Sequence, residues 1–112
     1  MHTVEQHFEG KQPVVRTIYD KLLALVLGWG PVDQDPKKTS IHLNRTHAFA
    51  GIAIGKGHLV LTLRSRFDID SSRIKKREQA SANRWYCEIK LTSPDEIDDE
   101  LIGWLRDSYD LS

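Results

Sequence analysis

Three stretches of the chain alternate apolar positions with mostly polar ones at a period of two. Ile41 and Leu43 alternate with His42 and Asn44. Leu59, Leu61 and Leu63 alternate with Val60, Thr62 and Arg64. Trp85, Cys87, Ile89 and Leu91 alternate with Tyr86, Glu88 and Lys90. Successive side chains of a strand point to opposite faces, so this pattern buries one face of a sheet and wets the other. With Ala48 to Ile54, which is apolar on both faces, it predicts an antiparallel sheet. Gly55-Lys56-Gly57 predicts a hairpin turn in which glycine supplies a positive φ. Arg73 to Ala80 reads either as a short helix started by Ser71-Ser72 or as a polar strand pairing with Trp85 to Leu91, the strand being preferred, with a turn at Ser81-Ala82-Asn83.

Helical spacing flanks the strands. Val15, Ile18, Tyr19, Leu22 and Val26 recur at that spacing in a helix predicted from Pro13 to Leu27. Proline suits its first turn, and Gly28, Gly30 and Pro31 stop it. A second helix is predicted from Ser93 to Tyr109. Ser93 is its N-cap, Pro94 its first residue and Glu96 the partner of a capping box. Ile97, Leu101, Trp104 and Leu105 form its buried stripe, and Asp98, Asp99 and Glu100 begin an acidic solvent side. The expected architecture is α+β: an antiparallel sheet of about five strands, with both helices packed on one face. A chain of 112 residues fits one domain, spanning 1–112, with residues 1–10 poorly ordered.

The 16 basic and 16 acidic residues cancel, which excludes binding to nucleic acid by bulk charge alone. The cancellation is not local. Residues 36–90 carry twelve basic groups against four acidic ones, a sum of +8. Residues 91–112 carry one against seven, a sum of −6, and residues 1–35 three against five, a sum of −2. Such asymmetry points to an interaction surface. The bland alternative is an acidic final helix lying beside the basic strands and neutralising them.

Several chemistries find little support in the residues. Gly28 and Gly30 end a helix instead of opening one, so they form no dinucleotide fingerprint. Lys56 is followed by Gly57 and a strand, which is not a phosphate loop. His2, His7, His42, His47 and His58 show no zinc-ligand spacing, and no cofactor or metal is expected. Asp70 with Glu88 and Lys90 is a bare outline of a nuclease-like acid pair, lacking the context such a motif requires. Cys87 falls on the inward face as a small buried hydrophobe. As the single cysteine it can form no internal disulfide. With no signal peptide and no apolar run of membrane length, this leads to an expectation of a cytoplasmic protein without a membrane partner.

The alternation also defines a polar sheet face carrying His42, Asn44, Thr62, Arg64, Tyr86, Glu88 and Lys90, with Lys37, Lys38, Arg45 and Arg66 at its strand ends. Arg73, Lys75, Lys76 and Arg77, followed by Arg84, Trp85 and Tyr86, form a basic run with aromatics. The alternation places Trp85 in the core and leaves Tyr86 free. The candidate binding residues are therefore Lys37, Lys38, His42, Arg45, Arg64, Arg66, Lys75, Lys76, Arg84 and Tyr86.

The chain as a whole resembles a bacterial family catalogued as domain of unknown function 5655. The resemblance rests on Phe8-Glu9-Gly10-Lys11, Gly30-Pro31-Val32, Lys37 to Leu43, Ala48-Phe49-Ala50-Gly51, Lys56-Gly57-His58-Leu59, Asn83-Arg84-Trp85-Tyr86 and Thr92 to Asp98. It implies no activity, although members joined to nuclease-like modules lend weight to nucleic acid by analogy. The expected function is a non-catalytic binding module for an anionic partner, with nucleic acid the concrete case. The alternatives are a protein-interaction or self-association module forming a homo-oligomer, and a small-ligand enzyme using His42, Arg64, Tyr86 and Glu88.

Overall fold

The computed structural model describes residues 2–112. Helices α1 (Val4–Phe8) and α2 (Pro13–Leu27) precede six strands: β1 (Asp33–Pro36), β2 (Ile41–Asn44), β3 (Ala48–Ile54), β4 (Leu59–Ser65), β5 (Ile74–Ser81) and β6 (Arg84–Leu91). A 3-10 turn (Pro94–Glu96) and helix α3 (Asp99–Asp110) follow. The strands form one sheet in the order β1-β2-β3-β4-β6-β5, antiparallel throughout. The fold is α+β, as the alternation implies, with six strands where about five were expected.

The additional strand is β1. Its sequence, Asp33-Gln34-Asp35-Pro36, has no apolar residue to reveal a period of two. It forms because the ladder with β2 satisfies its backbone and because the Tyr19 hydroxyl of α2 donates to Gln34 Oε1 at 2.6 Å. Burial pushes that phenol up to about 12. Both sheet edges are guarded. β1 is short and contains Pro36, and β5 carries Lys75, Lys76, Arg77 and Glu78, features that oppose pairing with another chain.

One face of the sheet is apolar. Ile41, Ile52, Leu61, Ile89 and Ile74 form one row across the strands, and Leu43, Ala50, Leu63 and Cys87 the next. These pack with Val15, Ile18, Tyr19, Leu22 and Val26 of α2 and with Leu101, Leu105 and Tyr109 of α3 in a single cluster. Among the described residues, no helix is long and apolar enough to cross a membrane.

Three local expectations are corrected and one element is new. The segment from Ser93 to Tyr109 is not one helix. Ser93 and Glu96 do form the capping box, but around the 3-10 turn. Ile97 then leaves helical geometry to bury its side chain, and the Asp98 carboxylate caps α3 by accepting from Leu101 N at 3.0 Å. The glycines of the β3–β4 turn are closely approached by other side chains and do not supply a positive φ, which only Gly10 and Gly30 adopt among the described residues. A Cβ on Gly55 would collide with the His58 ring, and one on Gly57 would lie 2.9 Å from Gln12 Oε1. Trp85 is half-buried and lies outside the core cluster. It stands in the last row of the sheet, between Ser65 and Gln79. A short helix that the sequence reading did not assign, α1, is capped by Thr3 and Gln6, and Phe8 packs its ring 5.3 Å from that of Tyr19.

Candidate functional site

The sheet face away from α2 and α3 carries the polar residues of the alternating strands. Asp35, His42, Gly51, Thr62, Glu88 and Lys76 are register partners in one row. Arg64, Tyr86 and Glu78 form the neighbouring row. Charges of both signs alternate here, so the open face is mixed and not broadly basic.

The candidate binding residues separate into two groups at opposite ends of the sheet, about 20 Å apart along a seven-residue strand such as β4. Lys37, Lys38 and Lys75 lie at the end where β2 and β5 begin, and Lys76 is one residue further along β5. Lys37 is engaged there, with its Nζ 2.9 Å from Asp35 Oδ2. That bond is the main reason the Asp35 carboxyl lies below its usual range. Arg45, Arg64, Arg66 and Arg84 lie at the other end, with Tyr86 beside them. His42 sits mid-face on β2.

At this second end, two arginines already have structural work. The last carbonyls of a helix lack intrahelical donors. Arg45 donates to Tyr109 O at 3.3 Å and lies 4.5 Å above the Tyr109 ring. Arg64 donates through one guanidinium nitrogen to Leu111 O at 3.3 Å. Both complement the negative end of α3. Arg64 is also fixed through its backbone. Where β3 bulges at Phe49, opposite Leu43 and Asn44 of β2, the ladder to β4 ends at Leu63. The Ser108 hydroxyl fills the gap, accepting from Arg64 N at 3.0 Å and donating to Phe49 O at 2.5 Å.

Arg64, Arg66 and Arg84 line a concavity of about 500 Å³ with Ser81, Asn83 and Leu111. Among the described residues, none of the three arginines is within ion-pairing distance of a carboxylate. Three acids at the two ends of α3 have other partners. Asp98 and Glu100 take Arg73 at 2.9 and 3.2 Å, and Asp110 takes Arg106 at 3.2 Å. Arg66 also borders a second hollow, shared with Phe67, Asp107 and Asp110, so the acidic helix flanks the arginines without closing over them. Phe67 is 62 % exposed and Tyr86 37 %. Phe67 and Asn83 are the residues that sequence reasoning missed. An apolar ring between Arg66 and Asp68, outside any periodic run, was the available signal for Phe67.

A third hollow, of about 240 Å³, opens on the polar face over Gly51 and is lined by His42, Thr62, Arg64 and Tyr86. Glu88 is not part of it. Asp70 and Glu88 do not meet: the segment carrying Asp70 crosses the helix side of the sheet, where Ile69 is buried and its carbonyl accepts from Arg77. Cys87 is fully buried, and burial pushes its thiol up, away from a nucleophilic thiolate. Among the described residues, no cluster of three or more His, Cys, Asp or Glu side chains could hold a metal ion.

A family model described as "Domain of unknown function (DUF5655)" matches residues 4–112 of the chain. No curated protein and no solved structure matches it.

Proposed function

We propose that this chain, which belongs to the DUF5655 family, is a binding module for an anionic partner, single-stranded nucleic acid, held at the Arg64–Arg66–Arg84 end of the sheet. One observation carries this reading: three arginines without a carboxylate partner converge on one concavity. Asn83 adds hydrogen-bonding capacity, and the exposed rings of Tyr86 and Phe67 stand nearby. Guanidinium groups neutralise phosphates, and exposed rings stack on bases without regard to sequence. Self-association through the sheet is less well supported, because both edges are guarded. A cytoplasmic setting accords with the single buried, unpaired cysteine.

Fluorescence anisotropy with a labelled single-stranded oligonucleotide, and with its duplex, tests the proposal. Three phosphate contacts on a single strand give a slope of about −2 in log affinity against log salt. Replacing Arg66 and Arg84 together by alanine is expected to weaken binding about tenfold and to reduce that slope by about 1.4. Absence of binding in low salt, or equal binding by the double variant, would overturn the proposal.

A further inference from the structure

We infer that the hollow over Gly51 is a subsite for one unstacked nucleobase, continuous through Arg64 with the phosphate-binding arginines. This inference rests on the nucleic-acid reading and deepens it. The hollow exists because β3 presents glycine, while His42 on one neighbouring strand and Thr62 on the other rise on either side. Tyr86, the register partner of Arg64, closes the end nearest the arginines. At about 240 Å³ it lies below the range of pockets for drug-sized molecules and suits a single ring system.

Its chemistry matches a base in two ways. Tyr86 and the Arg64 guanidinium supply flat surfaces of the kind on which bases stack. The side chains of His42, Thr62 and Tyr86 make no hydrogen bond with another described residue, so their donors and acceptors remain available to a base edge. The position of Arg64 links the two subsites. It lines both this hollow and the 500 Å³ concavity, so a base seated over Gly51 has its phosphates beside Arg66 and Arg84. The minimal ligand is then one nucleotide with its flanking phosphates.

Gly51 allows a clean test. A Cβ built there meets only the Thr62 Cβ, at 3.7 Å, an ordinary contact, and the backbone is not in the left-handed region. Gly51→Val therefore fills the hollow on a strand that favours valine. Anisotropy would compare a labelled oligothymidylate with an abasic phosphodiester of equal length. The wild-type chain is expected to prefer the base-bearing strand about fivefold, the low end of what stacking one base contributes. Gly51→Val is expected to remove that preference while leaving abasic affinity and salt slope unchanged. Equal binding of the two probes by wild type, or a preference that survives in Gly51→Val, would overturn the subsite and leave the arginine reading standing. Failure of wild type to bind either probe would overturn both. His42→Ala removes a polar wall of the hollow without touching the concavity that holds Arg66 and Arg84, and is expected to reduce the same preference should valine disturb the strand.

Discussion

Ser108→Ala is expected to destabilise the fold by about 3 kcal/mol, because it leaves both a donor and an acceptor without partners where water has little access. Ser108 is 1 % exposed, and its hydroxyl stands in for a missing ladder bond between β3 and β4. Without it, Arg64 N–H and Phe49 C=O face each other across a gap that the bulge prevents from closing. Each orphaned group costs about 1–3 kcal/mol. Urea denaturation should show a lower midpoint with an unchanged slope. Amide exchange at Arg64 should accelerate about a hundredfold, beyond what fraying of α3 alone would give. A midpoint indistinguishable from wild type would refute the bridging role. Because Arg64 lines both hollows, the same variant should also weaken oligonucleotide binding, without changing any residue in contact with the ligand.

Removing the Arg73 side chain is expected to have the second largest effect, about 2 kcal/mol in Arg73→Ala, since charged hydrogen bonds and a cation–π contact are lost together. Arg73 precedes β5 and reaches the start of α3. Its guanidinium donates to Glu96 O at 2.6 Å, to Asp98 at 2.9 Å and to Glu100 at 3.2 Å. It also lies 5.7 Å from the Trp104 ring. Its side chain is 24 % exposed, so screening by solvent is incomplete and the bond to the Glu96 carbonyl dominates the estimate.

The same junction makes stability depend on pH. The Asp98 carboxyl lies below its usual 3.8, held there first by the N–H of Leu101 and then by Arg73. Burial would raise the Glu96 carboxyl, but hydrogen bonds from Thr92 and Ser93 outweigh it and leave the group below 4.5. Both groups bind protons less readily when folded. Their contribution is fully present above about pH 5 and is lost as pH falls through the folded values. Thermal melts from neutral pH down to the acid range should show a declining midpoint below about pH 4.5. In Arg73→Ala the decline should be shallower but still present, because the bonds from Leu101, Thr92 and Ser93 remain. Identical acid profiles for the two proteins would show that Arg73 does not govern the carboxylates.

The strands β2, β4 and β6 and helix α2 could be read from the residues because each buries one face only, and that leaves a period in the sequence. β1 left no such trace. Its side chains are polar on both faces, and it is held by the backbone of β2 and by Tyr19. The break in the final helix was equally hidden. Ser93 and Asp98 are both competent caps, and only the burial of Ile97 decides that each is used. The site was legible as a list but not as a place. Alternation put His42, Thr62, Arg64 and Tyr86 on one face, and that holds. It could not separate lysines at one end of the sheet from arginines at the other, because strand order and length set that distance.

The opposed charge sums show the same division. The sequence alone established a basic middle and an acidic tail, since charge is a property of residues. Whether the tail neutralises the middle depended on which face α3 covers. Its apolar stripe drives it onto the apolar face, so its N-terminal acids meet Arg73 and its C-terminal carbonyls meet Arg45 and Arg64. Arg66 and Arg84 form no ion pair among the described residues, although Asp107 and Asp110 border the same hollow as Arg66, because hydrophobic burial positioned the helix and the charges followed.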